Sequence, residues 1–79
     1  KVYGMTQNYS WEGSMREEII QALKNNLEGL IGWHIMNVNI MLDKAVGVPE
    51  HPDLLKTIEE ELQAISDYND KLEVLNKYF

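Results

Sequence analysis

One punctuated stretch governs what this chain can fold into. Residues 47–52 read Gly47-Val48-Pro49-Glu50-His51-Pro52, set between two long proline-free segments with helical periodicity. Proline lacks a backbone N–H and its ring clashes with the preceding turn, so this pair forbids one continuous helix. Gly47 suits the left-handed position that closes a helix. Pro52 suits the first position of the next helix, with His51 or Asp53 as its cap. The expected fold is all-α: a hairpin of helices at about 14–46 and 53–78. Its turn is built by Gly47, Pro49, His51, Pro52 and Asp53.

The first helix has an equally legible start. Ser14-Met15-Arg16-Glu17 is a capping box, in which the serine hydroxyl accepts from the Glu17 amide and the carboxylate reaches back. Glu17 and Glu18 add negative charge at the positive end of the helix dipole. Residues 1–13 show no period and contain Gly4, Asn8, Ser10 and Gly13, which reads as an irregular arm. Tyr3, Tyr9 and Trp11 could pin that arm onto a core. Lys1-Val2-Tyr3-Gly4 precedes Met5, so residues 1–4 are either native or an appended remnant with Met5 as the natural start.

The two helices differ in their apolar angles. At about 100° per residue, Leu55, Ile58, Leu62, Ile65, Leu72 and Phe79 form one stripe on the second helix, with Asn69 and Asn76 inside it. The first helix carries a matching stripe of Ile20, Leu23, Leu27, Ile31, His34, Val38, Met41 and Ala45. Roughly opposite lie Gly29, Trp33, Met36 and Ile40. A helix that is apolar on two sides must be covered on two sides. One antiparallel partner covers only one, leaving the other for the arm or for another chain.

Length and size point to another chain. At about 1.5 Å per residue the first helix spans about 50 Å and the second about 39 Å, which leaves part of the first unpaired. A chain of 79 residues buries only about 60–65% of its unfolded surface, and it has no cysteine to staple the fold. The expectation is therefore a homodimer with the long helices central, forming a four-helix bundle. Gly29, Trp33, Met36 and Ile40 form its interface. Gly29 and Gly32 each lower helix propensity by about 1 kcal/mol relative to alanine. They read either as tolerated surface glycines or as a close helix crossing or kink.

Composition excludes several functions. Zero cysteine removes disulfide scaffolds and thiolate metal sites. Seven basic against thirteen acidic residues, net −6, disfavours a nucleic-acid partner, which needs a basic face. The most apolar window, residues 27–46, carries Glu28, His34, Asn37, Asn39, Asp43 and Lys44, so no membrane span is expected. The N-terminus shows no charged-then-apolar signal pattern, and a cytoplasmic setting is expected.

Three features could carry chemistry. His34 lies on the core stripe, but the Glu-x-x-His spacing of a di-iron bundle fails because position 31 is Ile31. It reads instead as a seam histidine bonded to asparagine or carboxylate, with Asn69 and Asn76 as candidate partners and register as their role. His51-Pro52-Asp53 matches the tripeptide of the J-domain co-chaperones that stimulate an Hsp70 ATPase. Those domains lead into it with a basic helix, whereas Asp43-Lys44-Ala45-Val46-Gly47-Val48-Pro49-Glu50 is neither basic nor continuous. A helix-start proline with its caps accounts for the same three residues. Residues 47–79 hold eight acids and three bases, which makes either a solvated face or a surface that docks on a basic partner. No paired carboxylates, nucleophile–histidine–acid set or phosphate loop is present, so neither catalysis nor a cofactor nor a metal is expected.

The segment Ala45 to Asp53, followed by a helix ending Asp70-Lys71-Leu72-Glu73-Val74-Leu75-Asn76-Lys77-Tyr78-Phe79, resembles short acidic proteins of T4-like marine bacteriophages and ocean metagenomes. The resemblance covers the C-terminal half and implies a setting inside an infected bacterium, with no catalytic residues. The function expected from all of this is a non-enzymatic protein–protein interaction module, a phage accessory factor acting as a homodimer. Trp33 and Met36 are its anchor candidates, toward a second copy or a host or phage protein.

Overall fold

Ser14 starts the first helix as its cap. Its carbonyl accepts from the amides of Glu17 and Glu18, and its hydroxyl accepts from the Glu17 amide across 3.3 Å. A computed structural model describes residues 14–44 and 52–79. Two helices make up the structure, α1 (Met15–Lys44) and α2 (Pro52–Tyr78), and no strand occurs among the described residues. The expected arm at 1–13, the last two residues assigned to the first helix, and the turn residues Gly47, Pro49 and His51 lie outside the described residues. Pro52 opens α2, where its missing N–H would have had no partner anyway, and Asp53 adds an acid to the first turn.

α1 and α2 pack as an antiparallel hairpin. Arg16 Nη2 donates to the Phe79 carbonyl across 2.8 Å, tying the start of α1 to the end of α2. Farther along, His34 of α1 meets Glu61 of α2. Most of the residues withdrawn from solvent repeat at alternating spacings of four and three. On α1 these are Ile20, Lys24, Leu27, Ile31, His34, Val38 and Met41; on α2 they are Leu54, Ile58, Glu61, Ile65, Tyr68, Leu72 and Leu75, with Glu18, Leu30, Asn37 and Ala64 half-buried beside them. That alternation is the seven-residue repeat of a coiled coil, whose side chains at the seam interdigitate with the facing helix. Lys24 is half-buried at such a position, which a lysine tolerates because its aliphatic stem can be covered while the ammonium stays in water.

This seam corrects the expected one on α2. Ile58, Ile65 and Leu72 face α1 as expected, but Leu55 is 66% and Leu62 51% exposed, and Asn69, Asn76 and Phe79 are exposed too. Leu54, Glu61, Tyr68 and Leu75 take the positions assigned to them. The apolar arc of α2 is wider than the strip that one helix can cover. Position-by-position hydrophobicity favours the edge that holds Leu55 and Leu62. The structure turns the other edge inward because Glu61 and Tyr68 have partners on α1. On α1, six of the eight expected seam residues hold; Leu23 stands exposed at the edge, and Ala45 is outside the described residues.

Among the described residues, two helices side by side make one layer without an interior. The thinnest dimension is 12 Å, about the diameter of a single helix with its side chains. Leu27, 9% exposed, is the only buried residue among those described. A stable domain sets at least two layers against one core.

Candidate functional site

The polar centre of the hairpin is built on one carboxylate. Glu61 projects from α2 into the seam between Ile58 and Ile65, half-buried, and its Oε1 accepts from two donors on α1. His34 Nδ1 donates across 2.7 Å and Asn37 Nδ2 across 3.0 Å. An ionised carboxylate oxygen can only accept, which places the proton of His34 on Nδ1. His34 and Asn37 are three residues apart, one helical turn, so both reach the same oxygen from α1. The His34 bond first, and the Asn37 bond second, hold the Glu61 carboxyl below its ordinary value of 4.5, against a smaller opposing effect of desolvation.

Aromatic rings frame this centre. The Tyr68 and Trp33 rings both stack with the His34 ring, with centroids 5.8 and 5.6 Å from its own. Lys71 Nζ sits over the Tyr68 ring, 5.6 Å from its centroid. The histidine is thus oriented by rings and held by a carboxylate. Among the described residues no hydroxyl is hydrogen-bonded to it. Nor does any group of three His, Cys, Asp or Glu side chains among the described residues converge as metal ligands. The arrangement works as a polar lock. A carboxylate at a seam position is costly unless its two donors stand opposite, so it fixes one register of α2 against α1.

Apolar surface makes up the rest of the site. Trp33 and Met36 are each 59% exposed and Ile40 is 46% exposed, all on the face of α1 away from α2. A methyl group added at Gly29 or Gly32 would meet nothing within 4 Å, so neither glycine is explained by packing within the hairpin. Toward the chain ends, two shallow grooves of about 560 and 460 Å³ run between the helices, with Leu23, Leu75 and Phe79 common to both. Nearer the turn, Ile35 and Leu42 of α1 and Leu55 and Leu62 of α2 are exposed at positions that the register places on the same edge. Opposite this apolar surface, α2 presents Glu59, Glu60, Asp67, Asp70 and Glu73 to solvent.

Of the residues singled out from sequence, Trp33, Met36, Ile40 and Gly29 share one face, and His34 lies in the seam. Asn69 and Asn76 do not join it; Asn69 instead donates to Glu73 Oε2 along its own helix, across 3.4 Å. Asn37 and Tyr68 are not singled out by the sequence, and Glu61, expected with Glu59, Glu60, Asp67, Asp70 and Glu73 on the outer acidic face, is instead turned into the seam by its two donors on α1. The four-three spacing running through Leu54, Ile58, Ile65, Leu72 and Leu75 already marks positions 61 and 68 as seam. Asp53 is exposed in the first turn of α2, while His51 lies outside the described residues. No described helix is long and apolar enough to cross a membrane. No protein-family model matches this chain, and neither a curated protein nor a solved structure matches it.

Proposed function

We propose that this chain is a non-enzymatic protein–protein interaction module that works as a homodimer, two hairpins completing one four-helix assembly. The observation that carries this reading is that Leu27 alone is buried among the described residues, while α1 is apolar on two faces. Burial returns about 25 cal/mol per Å² of apolar surface, and a single layer leaves most of that surface in water. A second copy covers the outer face of α1 without a different protein having to be present. The resemblance of the C-terminal half implies a setting inside an infected bacterium, where the module would act as an accessory factor.

Sedimentation equilibrium tests the reading. The protein is expected to run as a dimer, and Trp33→Asp is expected to give a monomer or an unfolded chain, distinguished by helical circular dichroism. A wild-type chain that stays monomeric and fully helical at high micromolar concentration refutes the proposal. One observation favours a second reading, in which α2 docks on a basic partner: it carries seven acids against three bases, most of them facing outward. Binding of that kind weakens steeply with salt, whereas the apolar dimer does not.

A further inference from the structure

The outer face of α1 has the form of a second seam, and we propose that it binds α1 of a second copy antiparallel, in the register that sets Ala22 against the partner's Trp33. This rests on the homodimer reading and specifies its geometry. Met15, Ile19, Ala22, Asn26, Gly29, Trp33, Met36 and Ile40 follow the same four-three alternation as the seam facing α2. All eight are exposed and none is charged. α1 therefore carries two coiled-coil stripes on opposite sides, and α2 uses only one of them.

The spacing of this second stripe reads the same in both directions about a midpoint between Asn26 and Gly29. A two-fold axis at that midpoint pairs Met15 with the partner's Ile40 and Ile19 with the partner's Met36. The same operation pairs Ala22 with the partner's Trp33 and Asn26 with the partner's Gly29. Each pairing recurs on the other side of the axis, as an isologous interface requires. Sizes match in this arrangement: the indole faces alanine, and the glycine faces asparagine. A parallel dimer would stack indole on indole and glycine on glycine, leaving a clash beside a void.

Charge selects the same face and the same direction. α1 holds three bases and four acids, whereas α2 holds three bases and seven acids, so contact through α1 keeps the two acidic helices apart. The charged residues flanking the second stripe near its start are Arg16 and Glu18. The antiparallel register places Arg16 level with the partner's Asn39 and Glu18 level with the partner's Asn37, while a parallel one sets each beside its own copy. Leu23, at the edge of the stripe, lies two residues, about 3 Å along the axis, from the level of the partner's Leu30 and extends the apolar contact. The helices then lie in the order α2, α1, partner α1, partner α2.

Disulfide trapping tests the register, and the chain's lack of cysteine makes introduced thiols the only ones present. Ile19→Cys and Met36→Cys are made separately, refolded alone and as an equal mixture, and oxidised. Met15→Cys and Ile40→Cys form a second, independent pair. All four sites are exposed in the hairpin, so helicity is expected to be retained. Linked dimer is expected only in the mixtures, at the statistical share of heterodimer. Each variant alone places its two thiols about 26 Å apart or more along the axis, far beyond the roughly 7 Å that a disulfide spans. Self-linking of the single variants overturns the proposal in favour of a parallel dimer. A chain that sediments as a dimer yet links in neither mixture overturns the face while leaving the homodimer standing. A monomer at every concentration overturns both.

Discussion

Replacing Gly32 with alanine separates the stability of the hairpin from that of its assembly. Gly32 lies in the middle of α1 with helical neighbours on both sides, and a Cβ built on it meets no atom within 4 Å. The helix therefore gains the full difference in propensity between glycine and alanine, about 0.8–1.0 kcal/mol, with no clash to offset it. For a chain of this size that corresponds to a rise in Tm of roughly 3–8 °C. Gly29 has the same open surroundings within the hairpin, so a free hairpin gains equally from Gly29→Ala. The two differ only toward a second copy, where Gly29 sits on the outer stripe and Gly32 beside it. The assay is thermal unfolding by circular dichroism over a hundredfold range of concentration, since dimer stability shifts with protomer concentration. Gly32→Ala is expected to raise Tm throughout. The gain from Gly29→Ala is expected to fall behind it as concentration rises. A Gly32→Ala variant with unchanged or lowered Tm at every concentration refutes the reasoning, because something must then occupy the space beside it.

Three further outcomes follow from the seam and its polar lock. Leu27→Ala empties the only buried apolar site described and is expected to cost about 2–3 kcal/mol in urea unfolding; a loss under 1 kcal/mol shows that the seam collapses around it. Glu61→Gln is expected to destabilise the protein at pH 7 and to lose that effect in acid. The folded-state pKa of Glu61 is lowered, so its contribution is present above the ordinary value of 4.5 and disappears as pH falls through the lower folded one. A difference between wild type and variant that stays constant from pH 7 to pH 2 contradicts this. Ser14→Ala removes the acceptor of the Glu17 amide and is expected to cost about 0.5–1 kcal/mol, with the loss read as fraying at the start of α1 by amide hydrogen exchange.

Much of the fold is legible along the chain because its determinants are local. Ser14 caps through an amide three residues away, and Pro52 needs only its own ring geometry to begin α2. The two-sidedness of α1 is equally local, since periodicity alone places Trp33, Met36 and Ile40 away from Leu27 and Ile31. The seam histidine is legible for the same reason. Its partner is not: Glu61 lies twenty-seven residues from His34. Its acidity argues for solvent as long as α1 is out of view.

The sequence by itself determined an all-helical hairpin, its first cap, and the one helix with apolar residues on both sides, because each depends on residues within a turn or two of one another. Only the tertiary structure decided which edge of α2 faces inward. Leu55 and Leu62 are more apolar than Glu61 and Tyr68, yet they stay outside. A carboxylate that gains two donors and an aromatic ring that gains a stacking partner settle the rotation of the helix, and those gains exist only once α1 lies alongside.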